Sequence, residues 1–539
     1  MTIKRFLLFL AASALIGAVS MHGQAPKRTT VGAKGVADQW PNYQTNSNFS
    51  PLTQITPQNV SRLTQAWTFN YGGGSAPEYP FVGLDNRFEV QPLLVGGVMY
   101  ISTPTSPPNP NLKATVTALE PETGKVLWQY ASPRNIHGRG LAYWPGTATV
   151  PARLFFATDK GYLMAIGAKT GELVESWGNG GIVDAYKDVA SDVVGESRRD
   201  TYTVPNPLTV YKNLIIGGAR PGEVAPPQPR GDIRAWDAIT GKVVWDFHVI
   251  PQPGEPNHED WPEDTWKDRS GCNVWSNLTA DPSTGLVFGA TGDANRAVNG
   301  SKNLYCNSIL ALQADTGKLK WFFQLVHHDA ADYDMPTPPI LIDVRQNGKT
   351  VPAVLQTGKL HFAYIFNRLT GEPIYGVEER PVRRALGDKD PNWPTQPFPL
   401  KPPATGRLSM TRNDVNKMTP EIEKYCTDFW DRNNVVPSKA FDRAAENEAM
   451  VTFGAPVGGW GPLSYNPQLG YVFLNVTNAG NYHAAGTPVA APFGAGNDAA
   501  NGDAPAAARG QGRARGQGRA RGQAQGNAGG FAYRLPSGL

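Results

Sequence analysis

Four nearly identical phrases recur along the chain: TALEPETGKVLW from Thr117, AIGAKTGELVESW from Ala165, RAWDAITGKVVW from Arg234 and LALQADTGKLKW from Leu310. A degenerate fifth, YIFNRLTGEPIYG, starts at Tyr364. Each is an apolar strand, a Thr-Gly turn, one or two polar residues and a second strand that usually ends in Trp. Such a unit buries its faces only against further copies of itself. Copies spaced by about 50 to 75 residues therefore predict an all-β propeller built blade by blade.

Between the copies the same grammar continues. FEVQPLLVGGVMYIST (Phe88–Thr103) reads as strand, Gly-Gly hairpin, strand, and related patterns recur in RLFFATDKGYLMAIGA, TVYKNLIIGGA, GLVFGATGD and PAVLQTGKLHFAYIFN. With 58 Gly and 47 Pro in 539 residues, the composition suits many short strands and turns. Helices are expected only at Pro57–Leu63, Thr419–Asn433 and Ser438–Met450. From Ala485 the chain turns to Ala, Gly, Arg and Gln, including RGQGRARGQGRARGQ (Arg509–Gln523), which is low-complexity and flexible by composition. Part of the small net charge of +4 comes from that segment, so no nucleic-acid surface is expected.

The opening MTIKRFLLFLAASALIGAVS places Lys4 and Arg5 before a short apolar run and small residues, the layout of a cleavable signal peptide over residues 1–25. A linker at 26–37, a propeller at 38–484, a low-complexity insertion at 485–530 and a short remnant at 531–539 complete the expected organisation. No other long apolar run occurs. The protein is thus expected in the periplasm or secreted, with no membrane span after cleavage. Its three cysteines, Cys272, Cys306 and Cys426, have neither C-x-x-C nor Cys/His metal spacing. One disulfide and one leftover thiol are expected, with the pairing open.

Propeller ligands bind near the central axis, where each blade contributes one or two side chains from distant positions in sequence. Candidates are Glu89, the Arg139–Trp144 string RGLAYW, Glu223, SGCNVWSNLTADPSTGLVFGATGDAN (Ser270–Asn295), FQLVHHDAADYDMPTPP (Phe323–Pro339) and Lys359. These strings, with FSPLTQITPQNVSRLTQAW, GDIRAWDAITGKVVWDF, FNRLTGEPIYGVEERPV and GGWGPLSYNPQLGYVF, resemble the pyrroloquinoline quinone (PQQ)-dependent dehydrogenases over roughly residues 38 to 480. The similarity is greatest to the membrane-type glucose dehydrogenase branch.

The resemblance implies an eight-bladed quinoprotein propeller with Trp-docking motifs, PQQ and Ca²⁺ (or Mg²⁺). It also implies base-assisted hydride transfer from an alcohol or sugar hydroxyl to the quinone. Trp275 aligns with the residue on which the planar quinone stacks, a role suited to an aromatic face. Glu223 and Asp293, together with Asp332, fall where the family holds its cation, and a hard cation takes carboxylate oxygens. Asp332 aligns with the general base; the same loop offers Asp329 and Asp334. Lys359 aligns with the cation that contacts the quinone oxygens and stabilises charge on the reduced ring. Arg139 would pair with a cofactor carboxylate, and Glu89 and Thr158 match further cofactor contacts. His327 and His328, adjacent on an expected strand, would point to opposite faces and are not read as ligands.

Departures qualify the resemblance. Pro133 and Arg134 stand where the alcohol branch has a vicinal disulfide, and Ala331 replaces a Trp common before the base. No C-x-x-C-H motif occurs, so electrons would leave to a separate acceptor, a quinone or cytochrome c. Hairpin counting finds about six blades' worth of material, which leads to the expectation of a C-terminally truncated copy whose last blade or blades are missing. The competing expectations are a non-catalytic Trp-docking propeller acting as a protein-binding scaffold, or an inactive truncated quinoprotein.

Overall fold

The computed structural model describes residues 39–40, 47–71, 89–103, 113–137, 139–187, 189, 194–222, 226–294, 297–387, 390–445, 447–454 and 461–484. Chain-adjacent strands pair antiparallel into sheets. The first sheet comprises β1 (Gln39–Trp40), β2 (Leu93–Val95), β3 (Val98–Thr103), β4 (Thr115–Leu119) and β5 (Val126–Ala131). The second is β6 (Ala142–Trp144), β7 (Arg153–Ala157), β8 (Tyr162–Gly167) and β9 (Ile182–Asp184). The third is β10 (Thr209–Tyr211), β11 (Leu214–Gly217), β12 (Ile233–Asp237) and β13 (Val243–Phe247). The fourth is β14 (Thr279–Asp281), β15 (Leu286–Ala290), β16 (Ser308–Gln313) and β17 (Leu319–Gln324). The fifth is β18 (Ile340–Gln346), β19 (Lys349–Thr357) and β20 (Ala363–Asn367).

The first strands of successive sheets lie side by side: β6 against β10, β10 against β14, and β14 against β18. Each sheet therefore radiates outward from a common axis, with its face packed on the next. Tyr100, Val116 and Ala118 meet Leu154, Phe156 and Ile166 between the first two sheets. Phe155 and Ala165 meet Ile215 and Trp236 between the second and third. Ile233 and Trp245 meet Val287 and Leu310 between the third and fourth. Interior strands such as β7 and β15 are buried at every residue, which explains the apolar run of β15 and of β7 after Arg153, whose guanidinium bonds the Ala238 and Ile239 carbonyls.

The repeated Thr-Gly turns join these sheets. In all five, the glycine N–H donates to the carbonyl four residues earlier at 2.8 Å: Gly124 to Glu120, Gly171 to Gly167, Gly241 to Asp237, Gly317 to Gln313 and Gly371 to Asn367. The glycines have φ between +70° and +78°, a region costly for side chains with a Cβ. A tryptophan from earlier in the chain, in the preceding sheet for all but Trp67, then lies flat on the turn. A Cβ on Gly124, Gly171, Gly317 or Gly371 would come within 2.5–2.6 Å of Trp67, Trp128, Trp245 or Trp321 respectively. The indole N–H secures the joint: Trp67 donates to Pro121 O at 2.9 Å, Trp177 to Asp237 O at 3.1 Å, and Trp245 and Trp321 to Ala314 O and Arg368 O at 3.0 Å. The degenerate fifth repeat keeps the turn.

Beyond the fifth sheet lie β21 (Val377–Pro381) paired with β22 (Thr395–Pro399), and α1 (Pro420–Arg432). They are followed by β23 (Val435–Val436), β24 (Ala449–Phe453), β25 (Ser464–Asn466), β26 (Tyr471–Phe473) and β27 (Gly480–Ala484). β25 and β26 form a hairpin packed beside β18, while β24 pairs with β23 and β27. Two helix expectations fail. Pro57–Leu63 yields only a 3₁₀ turn at Val60–Arg62. Ser438–Met450 is not helical: Ser438 pairs with Met410, Phe441 is buried against Phe398 and Tyr333, and Met450 sits inside β24. Tertiary burial overrides the local Ala/Glu propensity there. No helix among the described residues is long and apolar enough to cross a membrane.

Candidate functional site

The segments leading into the first strands carry the site. Glu89 stands shortly before β2, Arg139 before β6, Asn206 before β10, Trp275 before β14, and Asp332 and Asp334 before β18. Lys359 follows β19 and Asp293 follows β15. Because those first strands crowd the axis, residues far apart in sequence converge at one place.

Trp275 is the centre of one half. The Arg139 guanidinium lies 5.7 Å from its ring centroid and the Lys359 ammonium 5.9 Å, so two cations flank the indole. Arg139 is held by Glu89 Oε2 at 3.0 Å, Asn206 Oδ1 at 2.8 Å and the Trp275 carbonyl at 2.9 Å. Asn206 also donates to that carbonyl, fixing the indole's backbone twice. His137, two residues before Arg139, stays neutral. Burial first, then the Arg139 and Arg220 charges, drives its pKa down to about 3, and its Nδ1 is buried without a partner.

The other half is acidic. Lys359 Nζ bonds Asp332 Oδ1 at 2.5 Å and Asp334 Oδ2 at 2.9 Å, and the Asp293 N–H donates to Asp334 Oδ1 at 2.6 Å. One oxygen each of Asp293, Asp332 and Asp334 lies within 4.8 Å of the others. Burial and then the Asp334 charge raise both Asp293 and Asp332 well above the usual carboxylate range. Asp334 is buried too, but Lys359 outweighs burial and holds it below that range. Lys359 itself is raised despite burial, by Asp334 and Asp332. Asp329 is a separate, inward group. It accepts from Asn307 Nδ2 at 2.8 Å and from the Ala331 and Tyr333 N–H groups, and burial pushes it up to about 6 despite those donors.

The structure thus brings together Glu89, Arg139, Trp275, Asp293, Asp332 and Lys359. The Thr158 hydroxyl faces its own turn, donating to Asp159 O and Tyr162 O at 3.3 Å. Glu223 lies outside the described residues. His327 and His328 sit in bends rather than on a strand. They turn to different partners, His327 to Gln324 and Glu379, His328 to the Ser301 carbonyl. Two site members were missed. Asp334, seen in the sequence only as another acid of the loop, is central to the cluster. Asn206 repeats the position of Arg139, three residues before its strand, which is a signal readable only once the blades are aligned. The disulfide joins Cys272 to Cys306 and leaves Cys426 free.

The donor set fits a flat anionic cofactor and a hard cation. Three carboxylates face one ammonium, leaving negative charge that a divalent ion would balance. Gly292 lets the acid cluster and the indole pack closely at their junction: a Cβ there would lie 2.6 Å from Asp334 Oδ1 and 3.1 Å from Trp275 Nε1. The unpartnered His137 Nδ1 and the cationic flanks suit ligand carboxylates.

Comparison with known proteins shows the family. Residues 38–521 match the PQQ glucose/ethanol/alcohol dehydrogenase β-propeller domain. The quinate/shikimate dehydrogenase (quinone) of Acinetobacter baylyi is 29% identical over 476 residues, covering 81% of this chain and 56% of that protein. The quinoprotein glucose dehydrogenase of Escherichia coli is 31% identical over 388 residues, covering 67% and 46%. The quinohemoprotein alcohol dehydrogenase structure from Comamonas testosteroni superposes with a TM-score of 0.57 at 23% identity, over 83% of this chain and 59% of that one. The chain spans about half of the length of the curated relatives it matches. By sequence match, fold and site chemistry together, the chain belongs to the PQQ-dependent glucose/ethanol/alcohol dehydrogenase β-propeller family.

Proposed function

We propose that the protein is an exported dehydrogenase that oxidises an alcohol or sugar hydroxyl with PQQ and a divalent cation, Ca²⁺ or Mg²⁺, and releases electrons to a separate quinone or cytochrome c. The carrying observation is a tryptophan flanked by Arg139 and Lys359 and set beside three convergent carboxylates. When bound, the quinone would accept the hydride and the cation would polarise its carbonyl. Trp275 offers the stacking face, and Arg139, oriented by Glu89 and Asn206, offers the counter-charge for cofactor carboxylates. Asp293 and Asp332, with Glu223, would supply cation ligands, and Asp334 joins them in this reading.

Among the acids, exposure selects the base. The Asp332 side chain is 32% exposed, against 10% for Asp334, and Asp329 is buried and fully engaged by donors. Asp332 is therefore the acid of its loop that substrate can reach. It would take the hydroxyl proton on its oxygen while Lys359, at 2.5 Å, moderates its basicity and holds its orientation.

Reconstitution tests the reading. The protein, given PQQ and CaCl₂, should reduce an artificial dye in the presence of some member of a panel of alcohols and aldoses. Absence of PQQ binding by the full gene product would sink it. Export is tested separately, by the N-terminal sequence of protein recovered from the periplasm, expected to begin after the leader.

A further inference from the structure

We infer that the Cys272–Cys306 bridge is a positioning device, holding the Trp275 indole in register with the acid loop. The inference rests on reading Trp275 as the PQQ stacking face. The two sulfurs are buried, and the bridge closes 34 residues with the Cα atoms 4.0 Å apart. Neither cysteine belongs to a strand: Cys272 precedes β14 and Cys306 precedes β16. The β14–β17 ladder is complete without them, so the bridge acts on the lead-in segments beyond the ladder, where it adds a covalent link to their backbone hydrogen bonds.

On its first side, Cys272 lies three residues before Trp275. Its N–H donates to the Asp293 carbonyl at 2.6 Å, and Gly271 pairs with Ala294. The Asn273 carbonyl accepts from Gly292 N at 3.0 Å. On its second side, Cys306 is followed by Asn307, whose N–H donates to Gly292 O at 2.8 Å. The Asn307 side-chain amide donates to Asp329, and Asp329 in turn accepts from the Ala331 and Tyr333 N–H groups on either side of Asp332. A continuous path thus runs from the indole through the sulfurs to the base. Three residues along it, Cys272, Asn307 and Asp332, have positive φ of 50°, 47° and 64°. Such backbone persists only where surrounding contacts over-determine it, and the bridge is one of those contacts.

The test is the Cys272→Ala/Cys306→Ala double variant, with Cys426→Ala as the control that removes a thiol elsewhere. In apo-protein, backbone hydrogen exchange should quicken at residues 271–276, 292–294 and 329–334 while β15 and β16 keep their protection. PQQ binding in the presence of CaCl₂, followed by tryptophan fluorescence, should weaken about tenfold to a hundredfold. Asn307→Ala, which keeps the bridge but cuts its link to Asp329, should quicken exchange at 329–334 alone. Unchanged loop exchange in both variants overturns the inference, as does exchange that quickens uniformly across the ladder. Loop loosening in a protein whose unaltered form binds no PQQ would uphold the positioning role and refute the cofactor reading.

Discussion

At Lys359 a single buried ammonium faces Asp332 and Asp334, and its removal leaves a group of acids without a cation. Truncating one partner of a buried ion pair typically costs about 3–5 kcal/mol. Lys359→Met should therefore lower stability by about that amount in denaturant unfolding at neutral pH, with the penalty shrinking under acid conditions as the carboxylates take up protons. A penalty independent of pH would show that the charge balance is not the cause. The same residue marks how far the sequence could be read. The motif strings pointed to Lys359, Trp275 and Arg139 through their local context, and to Asp332 only through the family resemblance. Asp334 and Asp332 sit in one loop, two residues apart, and no feature of that loop in isolation ranks them. What separates them is which is covered and which faces open space, a property of the surrounding blades.

Among the elements, the Thr-Gly turn was legible in full because its determinants are local: a positive-φ glycine and a hydrogen bond four residues back. The resemblance implied Trp docking, but which indole meets which turn could not be read. Gly317→Ala tests both together. An alanine there must hold φ near +70° with its Cβ 2.5 Å from the Trp245 ring, so a loss of about 1–3 kcal/mol is expected. Trp245 fluorescence should shift in the same variant, and an unperturbed indole signal would contradict the packing described. The stretch Ser438–Met450 shows the opposite case. Its Ala and Glu content favours a helix, but Phe441 and Met450 have buried positions waiting for them, and distant burial is invisible to a local window. Thr419–Asn433 was read correctly as α1 because its signal is local again: Thr419 caps the Ile422 N–H and Pro420 opens the first turn.

For the whole molecule, pH enters through a second acid cluster, separate from Asp293, Asp332 and Asp334. Asp232 is buried at the start of β12 beside Asp246. Burial, then that neighbouring charge, pushes it up to about 7, with His248 and Arg230 opposing. His248 is raised as well: burial works against it, but Asp232 and Glu255 prevail. The folded state holds both protons more tightly than the unfolded chain does. Their stabilisation is therefore full at low pH and is lost as pH rises through their folded values. Wild-type Tm should fall from about pH 5 to about pH 8, and Asp232→Asn, which cannot ionise, should fall less. Parallel slopes for the two proteins would refute the assignment. At this scale the sequence announced a ring of similar blades, while the convergence of lead-in segments on one axis emerged only from their packing.

The Trp-on-turn joint has a direction: each of the first four sheets offers an indole forward, and all five offer a turn backward. Joints of this kind are head-to-tail, and the angle between neighbours, not the joint's chemistry, decides when a ring closes. Blades joined this way are interchangeable parts. A gene encoding them can gain or lose a unit and still present a matching connector on both sides of the splice, so blade number is free to vary while the connector stays fixed.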